Sequence, residues 1–209
     1  MNKKQALRLL KEMTDHFQDP KVTKACDLLI QKVSELSDQV IDQKEFPLPK
    51  QLQAKNDFAL YTDGACRGNP GPGSWSCFAT DHQGKMLFEY SAFQDLTTNN
   101  QMELIAAIEG FKELKEIGSG AMNIYLFSDS QYVCKGITEW LASWKRRGWK
   151  KSDGKAPDHL ALWQQLDQIL QEQVFQKVEC HWVRGHAGHP QNEYCDRLCN
   201  EILDREQTL

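Results

Sequence analysis

The stretch Asp57-Phe58-Ala59-Leu60-Tyr61-Thr62-Asp63-Gly64 joins an unbroken apolar run to an acid. A continuous run such as Phe58 to Tyr61 reads as a strand buried on both faces, which puts Asp63 at its carboxyl end. A second apolar strand, Asn123 to Ser128, ends at Asp129 in the same way. Between them, helical spacing runs from about Asn100 to Ile117 through Met102, Ile105, Ala106, Ile108 and Leu114. A right-handed crossover makes the two strands parallel and brings both acids to one sheet edge, where open sheets place their sites. Two further strands, near Ser74–Thr80 and Lys85–Ala92, are joined by a turn at His82-Gln83-Gly84. Downstream, helices are expected over Ser130–Arg147 and Pro157–Gln171, then a strand over Val174–Val183 and a last helix over Pro190–Leu203. This order gives an α/β fold, a mixed sheet with helices packed against it.

Two more acids fall where helices begin: Glu103 in Asn99-Asn100-Gln101-Met102-Glu103, and Asp196 in Asn192-Glu193-Tyr194-Cys195-Asp196. Singly, each of the four has a structural explanation. Asp129 can cap the helix starting near Ser130, and Asn100 with Glu103 has the spacing of a capping box. Asp63-Gly64 can be a turn, and Asp196 a solvated helix position. Jointly they point elsewhere, because like charges gathered at one point repel and cannot all ionise without cations. Two divalent metals resolve that cost and are the machinery of in-line phosphodiester hydrolysis.

The composition allows this chemistry. The chain has 209 residues, enough for one good domain and a small appendage, with 40% hydrophobic and 26% charged residues. No run is long enough to span a bilayer and residues 1–20 lack a signal-peptide core, so no membrane role and a cytoplasmic location are expected. Seven scattered cysteines without a Cys-x-x-Cys pair read as reduced thiols in a core; Cys195 and Cys199, one turn apart, suit a buried helix face. The net charge is −4, yet Lys145, Arg146, Arg147, Lys150, Lys151 and Lys155 cluster between Trp144 and Lys155 against Asp153 alone. Such a patch can bind a phosphate backbone, since binding responds to the local field. Trp140, Trp144 and Trp149 interleave with it; they are expected to pack a small core while the basic tips meet a nucleic-acid strand.

Residues 1–43 read as a helical hairpin. Leu7, Leu10, Met13 and Phe17 recur at helical spacing, as do Val22, Ala25, Leu29, Val33, Leu36 and Val40, and Asp19-Pro20 separates the two series as a cap followed by a first-turn proline. Residues 44–56, with Pro47 and Pro49, read as a stiff linker, leaving 57–209 as the catalytic domain. Residues 1–55, hairpin and linker together, have ten Lys/Arg and eight Asp/Glu and no Trp or Tyr to stack on nucleotides. The hairpin is expected to dock on its own catalytic domain or on a protein partner, and the catalytic domain to be monomeric.

Tyr61 to Gly73 (YTDGACRGNPGPG), Thr97 to Leu104 (TTNNQMEL), Ser128 to Val133 (SDSQYV) and Gly185 to Asp196 (GHAGHPQNEYCD) resemble, in order, the four signature blocks of type 1 ribonuclease H. The likeness covers about Asp57 to Leu203, and Ile137 to Trp163 resembles the basic protrusion of the bacterial form. The resemblance implies a five-stranded mixed sheet, the first three strands antiparallel and the rest parallel, flanked by helices. It implies an endonuclease that cuts the RNA strand of RNA–DNA hybrids and leaves 5′-phosphate and 3′-hydroxyl ends. Asp63, Glu103, Asp129 and Asp196 would ligate two Mg²⁺ ions, with Asp63 bridging both and Mn²⁺ able to substitute; hard cations suit carboxylates. His186, in a loop bounded by Gly185 and Gly188, would assist proton transfer or product release, and His189 would belong to the helix start. Asn69, Asn99 and Gln131 match residues that read the RNA minor groove. Gly64 and Cys66 would admit the RNA backbone, Thr98 would hold a DNA phosphate, and Trp140, Trp144, Lys145, Arg146, Arg147, Lys150 and Lys151 would form the DNA-strand contact. Gln101 departs from the pattern, standing where the family often carries Arg.

Two other readings fit part of this pattern. Transposases, integrases and junction resolvases use similar acidic clusters on similar sheets, and a hybrid-binding module would read without cutting. The Asn69, Asn99 and Gln131 set favours a hybrid reader, and the presence of all four acids favours cleavage.

Overall fold

The computed structural model describes residues 3–17, 19–35, 46–118 and 120–206. The chain divides into two compact units, Met1–Gln43 and Lys44–Leu209. In the first, α1 (Lys3–His16) packs against α2 (Pro20–Glu35). Asp19 caps α2 by accepting from the backbone N–H groups of Lys21 at 2.7 Å and Val22 at 3.4 Å, with Pro20 in the first turn where no donor is needed. The continuation of this helix through Leu36 and Val40, and Lys44 of the expected linker, lie outside the described residues. Cys26 is buried, whereas Leu9, Met13, Phe17, Leu28 and Leu29 are exposed.

The second unit is built on a five-stranded sheet with strands β1 (Asp57–Cys66), β2 (Gly71–Thr80), β3 (Met86–Thr97), β4 (Met122–Ser128) and β5 (Phe175–Trp182) in the order β3-β2-β1-β4-β5. The first three pair antiparallel; β4 is parallel to β1 and β5 parallel to β4. Successive side chains of a strand point to opposite faces, and β1 shows it: Leu60 enters one core cluster, Ala59 and Tyr61 the other. The first cluster is completed by α3 (Asn99–Ile117), through Leu104, Ala107, Ile108, Phe111 and Leu114, and by α6 (Leu160–Leu170). The second is closed by Tyr194 and Cys195 of α7 (Pro190–Glu206). Phe46 packs there too, 5.4 Å from the Phe78 ring, and Gln191 Nε2 donates to the Pro47 carbonyl at 2.6 Å, so the chain lies on the sheet unit from Phe46.

Strands β2 and β3 extend past the stretches read from sequence because their pairing continues from Ser74–Phe93 to Gly71–Thr97. The alternation that marks a strand fades there, since Gln94, Asp95 and Leu96 lie exposed on an edge. The single helix expected over Ser130–Arg147 is broken into α4 (Gln131–Lys135), one π-helical turn (Gly136–Trp140) and α5 (Leu141–Arg146). The cause is packing. Trp163 is fully buried, its indole N–H donates to Tyr132 Oη at 2.9 Å, and its ring occupies the space a side chain on Gly136 would need. A widened turn at such a contact keeps the helix on course around the ring. The next helix, expected from Pro157, begins at Leu160 because His159 adopts a left-handed conformation (φ 57°).

Gly136→Ala drives a methyl into the Trp163 ring, and overpacking of this kind costs roughly 1–3 kcal/mol. Urea unfolding of the variant is expected to show a lower midpoint with the slope unchanged. An unaltered midpoint would mean that the indole is not held as described.

Candidate active site

Asp63 lies near the end of β1 and Asp129 directly follows β4, so the parallel pairing of these strands delivers both acids to one edge. Glu103 arrives on the second turn of α3. That helix approaches β1 closely because Gly64 has no side chain: a Cβ there would lie 2.6 Å from the Met102 carbonyl carbon. The start of α3 is fixed by Thr98, whose Oγ1 accepts from the Gln101 backbone N–H at 3.3 Å while Gln101 Oε1 accepts from the Thr98 N–H at 3.2 Å. The capping box is thus Thr98 with Gln101, not Asn100 with Glu103, and it leaves Glu103 unused by the backbone. Gln101, the departure from the family pattern, has a structural task. Asp63-Gly64 is no turn, since both residues pair within β1 and β2. Asp129 caps no helix either; Ser130 does, accepting from the Val133 N–H.

One carboxylate oxygen from each of Asp63, Glu103 and Asp129 lies within 4.8 Å of the others. Asp63 and Glu103 are buried. Burial, and then the charges of neighbouring acids, hold both carboxyls well above the ordinary range: Asp129 and Asp196 act on Asp63, and Asp63 and Asp129 on Glu103. Asp196, on α7, is near enough to repel Asp63 but stands outside the tight trio. Its Oδ1 accepts from Asn200 Nδ2 at 3.0 Å, and its Oδ2 is 3.8 Å from His186 Nδ1. Glu103 Oε1 accepts from Asn99 Nδ2 at 3.5 Å, whereas Glu103 Oε2 is buried with no hydrogen-bond partner. A buried oxygen without a donor is costly unless a cation meets it. The donor set, carboxylate oxygens alone, fits a hard divalent ion such as Mg²⁺.

Two contacts at this corner involve residues not singled out from the sequence. Asn192 Nδ2 donates to Asp129 Oδ2 at 3.2 Å, while its own Oδ1 is buried without a partner. Its signal was spacing, because Asn192 precedes Asp196 by four residues and shares its helix face. Trp182 Nε1 donates to the Asp129 carbonyl at 2.9 Å and fixes the backbone beneath that acid.

Of the candidate substrate residues, Asn99 and Gly64 adjoin Glu103. The Asn99 N–H donates to Asn69 Oδ1 at 3.3 Å, so the two asparagines are joined. Gln131 opens α4 and is exposed. Cys66 lies among backbone carbonyls, its thiol 2.7 Å from the oxygen of Gly68. His186 is largely exposed with φ 50°, whereas His189 packs near the Phe127 ring and its Nδ1 accepts from the Asn192 N–H, at the start of α7. Trp144 is buried and Trp140 partly so, their rings 5.5 Å apart, with Trp163 5.5 Å beyond Trp144. Around this aromatic stack, Lys145 pairs with Asp167 at 2.9 Å, Lys151 with Asp158 at 3.4 Å, and Arg147 Nε donates to the Lys150 carbonyl. Arg146 and Lys150 are exposed.

A carboxyl whose folded pKa is raised subtracts stability as pH climbs from its unfolded value, near 4, towards its folded one. Asp63→Asn removes that penalty. Without divalent ions the variant is expected to melt a few degrees above wild type at pH 7, each pKa unit relieved being worth about 1.4 kcal/mol. The gap should close below about pH 4, where Asp63 is protonated in both states. A variant less stable than wild type at pH 7 would contradict the crowding of the acids.

The RNase H family model matches residues 55–203. The chain is 49% identical over 141 residues to a ribonuclease H of Marinobacter nauticus, an alignment covering 68% of this chain and 90% of that protein. It is 44% identical over 159 residues to a ribonuclease H of Nitrosomonas eutropha, covering 73% and 95%. Among solved structures, LC9-RNase H1, a type 1 RNase H, matches with TM-score 0.60 and 33% identity over 76% of this chain and 74% of that one. LC11-RNase H1 in complex with an RNA/DNA hybrid matches with TM-score 0.56 and 27% identity over 72% and 99%. On the strength of the family match and these identities, the chain belongs to the RNase H family and is an enzyme of the ribonuclease H class.

Proposed function

We propose that this enzyme is an endonuclease that hydrolyses the RNA strand of RNA–DNA hybrids with the help of two divalent metal ions, leaving 5′-phosphate and 3′-hydroxyl ends. The observation that carries the reading is the meeting of Asp63, Glu103 and Asp129 around an unpartnered Glu103 Oε2. Membership of the family supports the cleavage itself, and the RNA/DNA hybrid bound to the similar LC11-RNase H1 supports the substrate.

Asp63, Glu103, Asp129 and Asp196 would hold Mg²⁺, with Mn²⁺ able to replace it. When bound, such ions supply Lewis acidity for generating the attacking hydroxide and for stabilising the leaving 3′-oxygen. The protein's own part is positioning. Asn99 steadies Glu103, and Asn192 steadies Asp129, so that the carboxylates keep their orientation as a substrate enters. His186, whose Nδ1 faces Asp196, carries a proton between that edge and solvent or helps release the product. The asparagine pair Asn69–Asn99 and Gln131 recognise the 2′-hydroxyl face of the RNA strand, with the Gly64 and Cys66 backbone beside it. Thr98 holds a DNA phosphate, and the segment around Trp140, Trp144, Lys145, Arg146, Arg147, Lys150 and Lys151 meets the DNA strand through its exposed charges. The catalytic domain of residues 57–209 carries this activity as a monomer in the cytoplasm, and the hairpin of residues 1–43 serves docking rather than cleavage.

A labelled RNA–DNA hybrid incubated with Mg²⁺, beside single-stranded RNA, duplex RNA and duplex DNA, tests the reading. Wild type is expected to cut only the RNA of the hybrid, and Asp63→Asn to lose at least about three orders of magnitude in kcat. Binding without cleavage would make the chain a hybrid-binding module, and cleavage of duplex DNA would overturn the substrate.

A further inference from the structure

Beside the acidic corner, close enough for charge at Cys134 to act on Glu103, two thiols meet. Cys134 of α4 and Cys180 of β5 are 46 positions apart in the chain, yet their sulfurs are 2.7 Å apart, with the Cys180 thiol directed at Cys134 Sγ. A disulfide bond is about 2.05 Å long, so joining them requires a displacement of less than roughly one ångström. Cys134 is buried and Cys180 is partly exposed. Cys180 lies on the outer strand of the sheet, with Trp182 two residues on and hence on the same face. The two cysteines line a groove of about 420 Å³ together with Gln131, Lys135, Glu139 and Trp182. That volume suits a small molecule, and its opposed charges at Lys135 and Glu139 suit a zwitterionic one.

We propose that Cys134 and Cys180 form a dithiol modification site whose ligand is a low-molecular-weight peptide disulfide such as oxidised glutathione. The accessible Cys180 sulfur passes the proton it directs at Cys134 Sγ to that sulfur and, now a thiolate, attacks one sulfur of the disulfide. A Cys180–glutathione bond forms, and the first glutathione leaves as thiolate and takes up that proton from Cys134. Cys134, again a thiolate, then attacks Cys180 Sγ. The mixed disulfide breaks, the second glutathione leaves and takes a proton from water, and the Cys134–Cys180 bond remains. Two protein thiols are oxidised and one small disulfide is reduced to two thiols. The bond closes a ring through the π-helical turn, α5 and α6, the part of the chain that carries the basic segment. Neither sulfur belongs to the carboxylate cluster, so the site stands whatever the substrate of the enzyme proves to be.

The test uses the reduced full chain incubated with oxidised glutathione, quenched by alkylation, and read by intact mass and peptide mapping. Wild type is expected to lose two hydrogens, to yield a peptide linking Cys134 to Cys180, and to return to the dithiol with excess reductant. Cys180→Ser is expected to keep hybrid cleavage at the wild-type rate and to form no cross-link. Cys134→Ser, where it folds, is expected to stall with one glutathione on Cys180. A wild-type protein that stays fully reduced, a cross-link between other cysteines, or a cross-link surviving in Cys180→Ser overturns the proposal. The first two variants of outcome are read on the native chain, so the result does not depend on the folding of either substitution.

Discussion

Repulsion among Asp63, Glu103 and Asp129 is the constraint around which the second unit is arranged. Three carboxylate oxygens within 4.8 Å of one another, two of the acids buried, form a corner that hydration cannot relieve. The surrounding fold holds them there by means independent of the acids themselves. The parallel pairing of β1 and β4 sets Asp63 beside Asp129. The bare backbone of Gly64 lets α3 descend onto β1, and the Thr98–Gln101 capping box fixes where that helix begins. Apolar burial below the corner, from Leu60 and Leu126 through Leu104 and Ile108, supplies the stability that the acids subtract. A site of this kind is maintained against its own electrostatics, and a divalent cation turns the same arrangement from a cost into a binding energy.

The hydrogen bonds around the trio show how orientation is kept before any cation arrives. Asn99 and Asn192 each donate to one acid from a different helix, and the Trp182 indole anchors the backbone at Asp129 from the outer strand. Glu103 is thereby held from within its own helix, and Asp129 from α7 and β5. The oxygens left over, Glu103 Oε2 and Asn192 Oδ1, mark the space these contacts enclose. The tryptophans of the basic segment have a comparable division of labour: Trp144 and Trp163 pack inward, and Arg146 and Lys150 reach solvent.

Much of this was legible in the sequence because it rests on patterns confined to short windows. The apolar runs ending at Asp63 and Asp129 announced two buried strands and their shared edge, and the Asp19-Pro20 step announced the start of α2. What escaped reading depends on contacts between distant residues. The π-helical turn exists because the Trp163 ring fills the space above Gly136, and nothing within Ser130–Arg147 signals it. Asn100 and Glu103 had the spacing of a capping box, but Thr98 and Gln101 had it too, and the position where β3 ends decides between them. The reach of β3 to Thr97 was hidden because edge residues lose their alternation. Asn192 lay inside a quoted block yet carried no charge to draw notice, and the Cys134–Cys180 contact joins residues no local pattern relates.

The central claim, that the crowded acids are a cation site, is tested most directly by calorimetric titration of the substrate-free protein with Mg²⁺ in buffers of different ionisation enthalpy. The account predicts saturable binding that releases protons at a pH above the ordinary carboxylate range, because Asp63 and Glu103 hold their protons more tightly than ordinary carboxyls until a cation displaces them. Proton release should diminish as the pH is raised, and binding should weaken in Asp63→Asn. Heats indistinguishable from dilution, or binding equally strong in that variant, would contradict it.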